Sequence, residues 1–143
     1  MKALSLYPDY AGLICDGMKT IECRTWQTDY RGDILICSNA HKIKGTIPGH
    51  AICIAELYNI RPFKKADCDA AVMPHSAYRP GLYAWELRHI RMIKPIPIKG
   101  KLSLFNADVD EQIEIVWDDV RDQDMPDEEA AKLINNFFAP LIV

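Results

Sequence analysis

The sequence predicts an α+β fold, mainly β: a small, partly closed barrel of five to six strands, with a helix after the first strand and a second helix near the C-terminus. Three observations carry that expectation. Short runs rich in β-branched, cysteine and aromatic residues recur along the chain, bounded by Gly, Pro, Asn and Asp. Only two segments show the i, i+3, i+4 apolar spacing of a helix. Strands and helices do not alternate, which argues against βαβ crossovers. With 143 residues and 13 Trp, Tyr and Phe, the chain fits one domain, residues 1–143.

Residues 2–6 read as the first strand. Pro8 and Asp9 then open a helix whose apolar positions are Tyr10, Leu13 and Ile14, and Gly17 ends it as a left-handed cap. Strands are expected at 20–26 and 33–37, joined by a turn at Tyr30-Arg31-Gly32, and at 51–60. Residues 61–81 are punctuated by Pro62, Pro74, Pro80 and Gly81, leaving room for one helical turn near 64–71. A long strand covers 82–93, after which Pro95 and Pro97 predict an extended, edge-like connection. A last strand at 113–117 precedes a helix at 127–138, whose apolar face would be Ala130, Leu133, Ile134 and Phe137. Asp127, Glu128 and Glu129 in its first turn suit the helix dipole.

Five cysteines at 15, 23, 37, 53 and 68 form no C-x-x-C pair, which disfavours a disulfide framework and a zinc ribbon; they read as small buried hydrophobes. The four histidines lack metal-ligand spacing, so no metal and no cofactor are expected. The N-terminal stretch meets Pro8 before any long apolar run, and a cytoplasmic protein with no membrane partner is expected. The formal net charge of −3 hides an asymmetry. Residues 1–105 hold 15 Lys or Arg against 9 Asp or Glu, a balance of +6, whereas residues 106–143 hold 2 against 11, a balance of −9. A basic body favours a polyanionic partner. The acidic segment suggests either a contact surface for a protein partner or a polyanion mimic lying over a basic cleft.

Function is most legible at residues 17–24, Gly-Met-Lys-Thr-Ile-Glu-Cys-Arg. A strand built only for packing has no use for Lys19, Glu22 and Arg24 at spacings of three and two. In an extended strand Thr20, Glu22 and Arg24 share one face, Ile21 and Cys23 share the core face, and Lys19 at the junction can turn toward its charged neighbours. Such a cluster can be a salt-bridged structural feature or a ligand site. Further along, Arg79, Arg88, Arg91, Lys94, Lys99 and Lys101 face only one carboxylate, Glu86, in residues 79–101, interleaved with Tyr83 and Trp85. That mixture suits phosphate attraction and base stacking. Trp85 alternates with Tyr83 and Leu87, so a core role and a stacking role are both open, and Trp26 is placed equally at a cleft rim or in the core.

The residues Gly17, Lys19, Glu22 and Arg24 are similar to the Gly-x-Lys-x-x-Glu-x-Arg signature of ASCH domains. The likeness extends through residues 4–6, 10–11, 24–32, 83–87 and 95–101, covering most of 1–105, and leaves 106–143 as an acidic extension. The resemblance implies a fold related to the PUA domain, a pseudo-barrel of five or six strands, and RNA or a nucleotide as ligand. It also implies hydrolysis of a modified nucleoside or an RNA phosphodiester as an alternative. In relatives that resemble acetylcytidine amidohydrolases, a threonine stands at the position of Glu22, and a Gln-Pro pair commonly stands where this chain has Tyr7-Pro8.

Three functions are therefore carried forward: an RNA- or nucleotide-binding module, a metal-free hydrolase, and a protein-interaction module. The candidate ligand-binding residues are Gly17, Lys19, Glu22, Arg24, Trp26, Tyr30, Arg31, Trp85, Lys99 and Lys101. For an enzyme, Lys19 would be the base or nucleophile, Glu22 the proton carrier and Arg24 the anion-binding group.

Overall fold

The computed structural model describes every residue except Gln123. The strands are β1 (Lys2–Leu6), β2 (Ile21–Arg24), β3 (Gly32–Ser38), β4 (His50–Pro62), β5 (Tyr83–Pro97), β6 (Leu104–Asn106) and β7 (Ile115–Trp117). The helices are α1 (Pro8–Cys15) and α2 (Asp127–Leu133). One mixed sheet runs in the order β2-β5-β4-β3-β1-β6, with β7 paired to the far half of β5. It curls into a half-barrel because its two longest strands are bent. The β4–β5 register shifts at three places, and His89 takes a left-handed conformation (φ 49°) at one of them. Bulges of this kind add twist and close a sheet on itself.

One crossover does occur, against expectation. β1 and β3 pair in parallel, and α1 lies in the connection between them, packed on β1, β3, β4 and β5. The buried face of α1 is Pro8, Ala11, Ile14 and Cys15. Of the expected apolar face only Ile14 is buried, since Tyr10 and Leu13 border hollows on either flank of the helix. Gly17 (φ 83°) turns the chain out of the helix, and the Lys19 N–H reaches back to the Leu13 carbonyl. That return sets the direction in which β2 starts.

The core beneath α1 contains Leu4, Ile14, Ile34, Ile36, Leu57 and Trp85. Trp85 has no exposed surface; its Nε1–H donates to the Trp26 carbonyl at 3.1 Å, and the two indoles meet edge to face at 4.7 Å. An indole enclosed on both faces cannot stack on a base, so the ligand-binding role expected for Trp85 is corrected to a core role. β5 also differs from expectation. It stays paired to β4 through Ile96 and Pro97, and its two prolines fall after Lys94, the last residue to bond to the segment leading into β7. A missing donor is tolerated on such an open edge.

Residues 106–143 wrap the sheet. The unforeseen strand β6 pairs with β1, the N-terminal amine donates to the Ala107 carbonyl, β7 extends β5, and Val120 bonds back to Ile90. After α2 the chain continues as a wider π-turn through residues 134–138. The wider turn changes which side chain points inward: Phe138 is buried, whereas Ile134, placed on the expected apolar face, is 43% exposed. Among the described residues no helix is long and apolar enough to cross a membrane. Trp85→Ala should cost about 3–5 kcal/mol of stability in urea unfolding. A cost below about 1 kcal/mol would contradict its place in the core.

Candidate functional site

β2 is only four residues long and pairs with the start of β5, Glu22 opposite Trp85 and Arg24 opposite Tyr83. Ile21 packs on its far side with Phe63, Cys68 and Leu82, so alternation turns Glu22 and Arg24 together to the near side. There they border a hollow of about 570 Å³. Lys19 joins them from the turn after α1, so the three charged groups of the octapeptide share one wall.

Lys19 is 2% exposed. Its ammonium donates to the Ile21 carbonyl at 2.8 Å and to the Ala71 carbonyl at 2.6 Å, lies 3.4 Å from Glu22 Oε1, and sits over the Tyr10 ring at 5.1 Å. Three acceptors for three N–H groups leave it no donor for a ligand. Burial pushes this amine below its ordinary range, and the Glu22 carboxylate opposes that shift. Glu22 is held as well, with acceptor capacity to spare: Oε1 accepts from the Cys23 N–H at 3.2 Å, and Oε2 accepts from Arg24 Nε at 2.9 Å. Arg24 Nη2 donates to the Ser5 carbonyl of β1 at 3.2 Å, which ties β2 to β1. Arg24 Nη1 has no partner among the described residues.

The opposite wall is the segment between β4 and β5, which contributes Ala71, Met73, Ala77, Arg79 and Leu82. Two clamps hold it. Arg61 forms a two-pronged bond to Asp67 and another to Glu86 of β5, and Lys19 grips the Ala71 carbonyl. Just beyond, Val72 takes φ 53°, donates to the Asp69 carbonyl, and is followed by Met73 donating to Cys68. This is a Schellman ending with valine in the place that favours glycine, a strained position for a β-branched side chain. The floor and rim are completed by Ser5, Tyr7, Tyr10, Thr25, Asn39 and Leu102. Arg79, expected only as one of the basic residues of 79–101, lines the hollow, whereas Tyr7 and Asn39 were missed as site residues. Tyr7 had one signal, its place at the start of α1. Asn39 and the Ala71 carbonyl arrive through long-range folding, which leaves no local pattern.

The other expected residues are scattered around this hollow. Gly17 caps α1, and a β-carbon there would meet the Arg121 side chain at 3.1 Å. Trp26 is half-buried against Trp85 and does not border the hollow. Tyr30 donates its hydroxyl to the Asp33 carbonyl at 2.6 Å, and Arg31 bonds the Thr28 and Tyr30 carbonyls, so both shape the β2–β3 turn away from the hollow. Lys99 and Lys101 are exposed on the β5–β6 loop beside it. The basic stretch 79–101 does not form one face. Arg88 pairs with Glu56 and stacks on Tyr58, Arg91 makes a two-pronged bond with Asp33, and Lys94 lies over Phe137. Side chains of opposite charge came from other strands, beyond the reach of local spacing.

Half-buried Cys23 borders the hollow, and burial together with Glu22 raises its thiol above the ordinary range, away from an activated nucleophile. Among the described residues no three His, Cys, Asp or Glu side chains are grouped to hold a metal ion. Among the described residues, none of 106–143 borders the hollow. The expectation that the acidic segment covers it is therefore corrected: that segment is committed to β6, β7 and the packing around α2.

The family model of the ASCH domain matches residues 4–97. Among solved structures, the chain is similar to an ASCH protein from Zymomonas mobilis, with a TM-score of 0.60 and 19% identity over 94% of each chain. A Tyr-to-Phe variant of that protein gives a TM-score of 0.58 and 19% identity, over 94% of this chain and 96% of that one. A Ser-to-Ala variant gives 0.58 and 18%, over 94% of each. At these identities the likeness concerns the fold. No curated protein matches the chain.

Lys19→Met should destabilise the protein by about 3–5 kcal/mol, because it strands a buried carboxylate and two backbone carbonyls. Urea unfolding at neutral pH measures this. A loss below about 1 kcal/mol would contradict the clamp.

Proposed function

The chain belongs to the ASCH domain family, and on that premise we propose that it binds RNA, with the hollow beside β2 receiving one nucleotide unit. The observation that carries this reading is the state of Arg24. Its guanidinium is fixed on one edge by Glu22 and on another by the Ser5 carbonyl, while Nη1 has no partner among the described residues and Arg24 borders the hollow. A cation held still before the ligand arrives loses little side-chain entropy on binding. Arg79 on the facing wall has no ion pair among the described residues, so the open charges of the hollow are positive. Its volume, about 570 Å³, lies within the range of small-molecule sites.

The groups divide by role. Arg24 and Arg79 take the phosphate, as guanidinium forks do. Glu22 Oε2, which holds a single protein hydrogen bond, can accept one more from an amino or imino group of the base or from a ribose hydroxyl. Lys19 sets the position of Glu22 and of the facing wall instead of touching the ligand.

Hydrolysis is the second reading, favoured by the lowered affinity of Lys19 for its proton. It requires Lys19 to leave the Ile21 and Ala71 carbonyls before acting as a base. Binding needs no such rearrangement and is preferred on that ground.

Calorimetric titration of the four nucleoside monophosphates and their parent nucleosides tests the reading. At least one monophosphate should bind at least tenfold more tightly than its nucleoside, and Arg24→Gln should remove that difference, worth about 1.4 kcal/mol or more. Equal affinity for monophosphate and nucleoside would contradict it. Conversion of a ligand to product by the wild type, abolished in Lys19→Arg, would replace binding by hydrolysis.

A further inference from the structure

Two loops meet at the lip of the hollow, and neither contains an Asp or Glu. One is residues 39–49, Asn-Ala-His-Lys-Ile-Lys-Gly-Thr-Ile-Pro-Gly; the other is residues 98–103, Ile-Lys-Gly-Lys-Leu-Ser. The Ile98 N–H donates to the Gly49 carbonyl at 3.0 Å and joins them. Asn39 at the head of the first loop and Leu102 in the second both border the hollow. Gly100 lies so close to Ser5, whose carbonyl holds Arg24, that a β-carbon would fall 2.3 Å from the Ser5 hydroxyl oxygen. The second loop and the head of the first thus lie against the proposed nucleotide site, while the first loop runs on past Lys42 and Lys44 to Gly45 and Thr46, which bond to Val143 beside the hollow on the other flank of α1.

Their isoleucines Ile47 and Ile98 pack on the core, and their lysines face solvent. Lys42, Lys44, Lys99 and Lys101 are all exposed, and none has a salt bridge among the described residues. This contrasts with Arg61, Arg88 and Arg91, each neutralised by a carboxylate elsewhere on the sheet. At the hinge between loop and hollow stands an aromatic pair, Tyr7 and His41, with ring centroids 4.8 Å apart at 64°. Tyr7 is 51% exposed and borders the hollow. His41 braces it from behind and is held by Asn39, which accepts the His41 backbone N–H. Leu102, 94% exposed, stands free at the same lip.

A tyrosine held upright by a second ring, next to unpaired lysines and a phosphate-binding cleft, has the composition of a single-strand path. Resting on the reading that the hollow holds one nucleotide of RNA, we infer that the neighbouring nucleotides of the same single strand continue across this lip. The adjacent base stacks on Tyr7, with His41 fixing the ring, and the following phosphates run along Lys42, Lys44, Lys99 and Lys101. The protein then reads a strand longer than the cleft.

The experiment compares the tightest-binding nucleoside monophosphate with the RNA hexanucleotide of the same base, each titrated at several salt concentrations. The wild type should bind the hexanucleotide at least tenfold more tightly, with a steeper fall in affinity as salt rises. A variant with Lys42, Lys44, Lys99 and Lys101 all changed to Gln should keep the wild-type affinity for the monophosphate and lose most of the extra salt dependence of the hexanucleotide. Tyr7→Leu, its fold verified by circular dichroism, should lower hexanucleotide affinity by about tenfold, the worth of one stacked base. Equal affinity of wild type for monophosphate and hexanucleotide would overturn the inference while leaving the nucleotide site standing. So would a lysine variant with an unchanged salt slope. Absence of binding by every monophosphate and every hexanucleotide would instead remove the reading on which the inference rests.

Discussion

A lysine ammonium taken out of water must find acceptors, and the place where Lys19 finds them decides the shape of the cleft. One acceptor is two residues on at the start of β2, one is a carboxylate three residues on, and one lies fifty-two residues away on the facing wall. Desolvating an ion costs several kcal/mol, so the fold cannot let go of these partners without loss. The facing wall is therefore tied to β2 at Ala71, and Glu22 is turned to where it also orients Arg24. From one buried cation follow the width of the hollow, the orientation of its carboxylate and the fixed guanidinium that is left with a free edge.

Charge elsewhere is arranged to leave that edge distinct. Asp33, Glu56, Asp67 and Glu86 each engage an arginine from another part of the sheet. Arg91 holds the Asp33 carboxyl below its ordinary range, and Arg61 does the same to Asp67. None of the acidic residues described in the C-terminal segment borders the hollow. Arg79 in the hollow and the four lysines of the two loops beside it carry no salt bridge among the described residues, and neither do Lys64 and Lys65, which lie ahead of the facing wall. A net charge of −3 therefore says little about what the cleft attracts, because attraction is set by local field and not by the sum.

The strands, the helix after β1 and the charged octapeptide were legible because each is a local pattern: β-branched runs, a Pro-Asp opening with a Gly stop, and charges placed at strand periodicity. What escaped depended on distant partners. β6 is three residues long and exists because β1 offers it an edge. Trp85 looked equally like a stacking platform and a core residue, since alternation names a face without saying what covers it; α1 and Trp26 settled the matter. Arg88 and Arg91 looked like phosphate contacts until strands β3 and β4 supplied their carboxylates. Phe138 replaced Ile134 in the core because a π-turn, invisible to a 3.6-residue period, shifts the inward face. Residues 39–49 gave no pattern at all, and their relation to the cleft is a product of tertiary structure.

The account stands on the charge and the confinement of one amine. Nitrogen-15 NMR of the lysine side chains at neutral pH and low temperature reports both. It predicts for Lys19 a protonated Nζ whose hydrogens exchange with water far more slowly than those of the exposed lysines, with couplings across hydrogen bonds to the Ile21 and Ala71 carbonyls. A neutral Lys19 amine, or one exchanging as fast as Lys42 and Lys99, would contradict it.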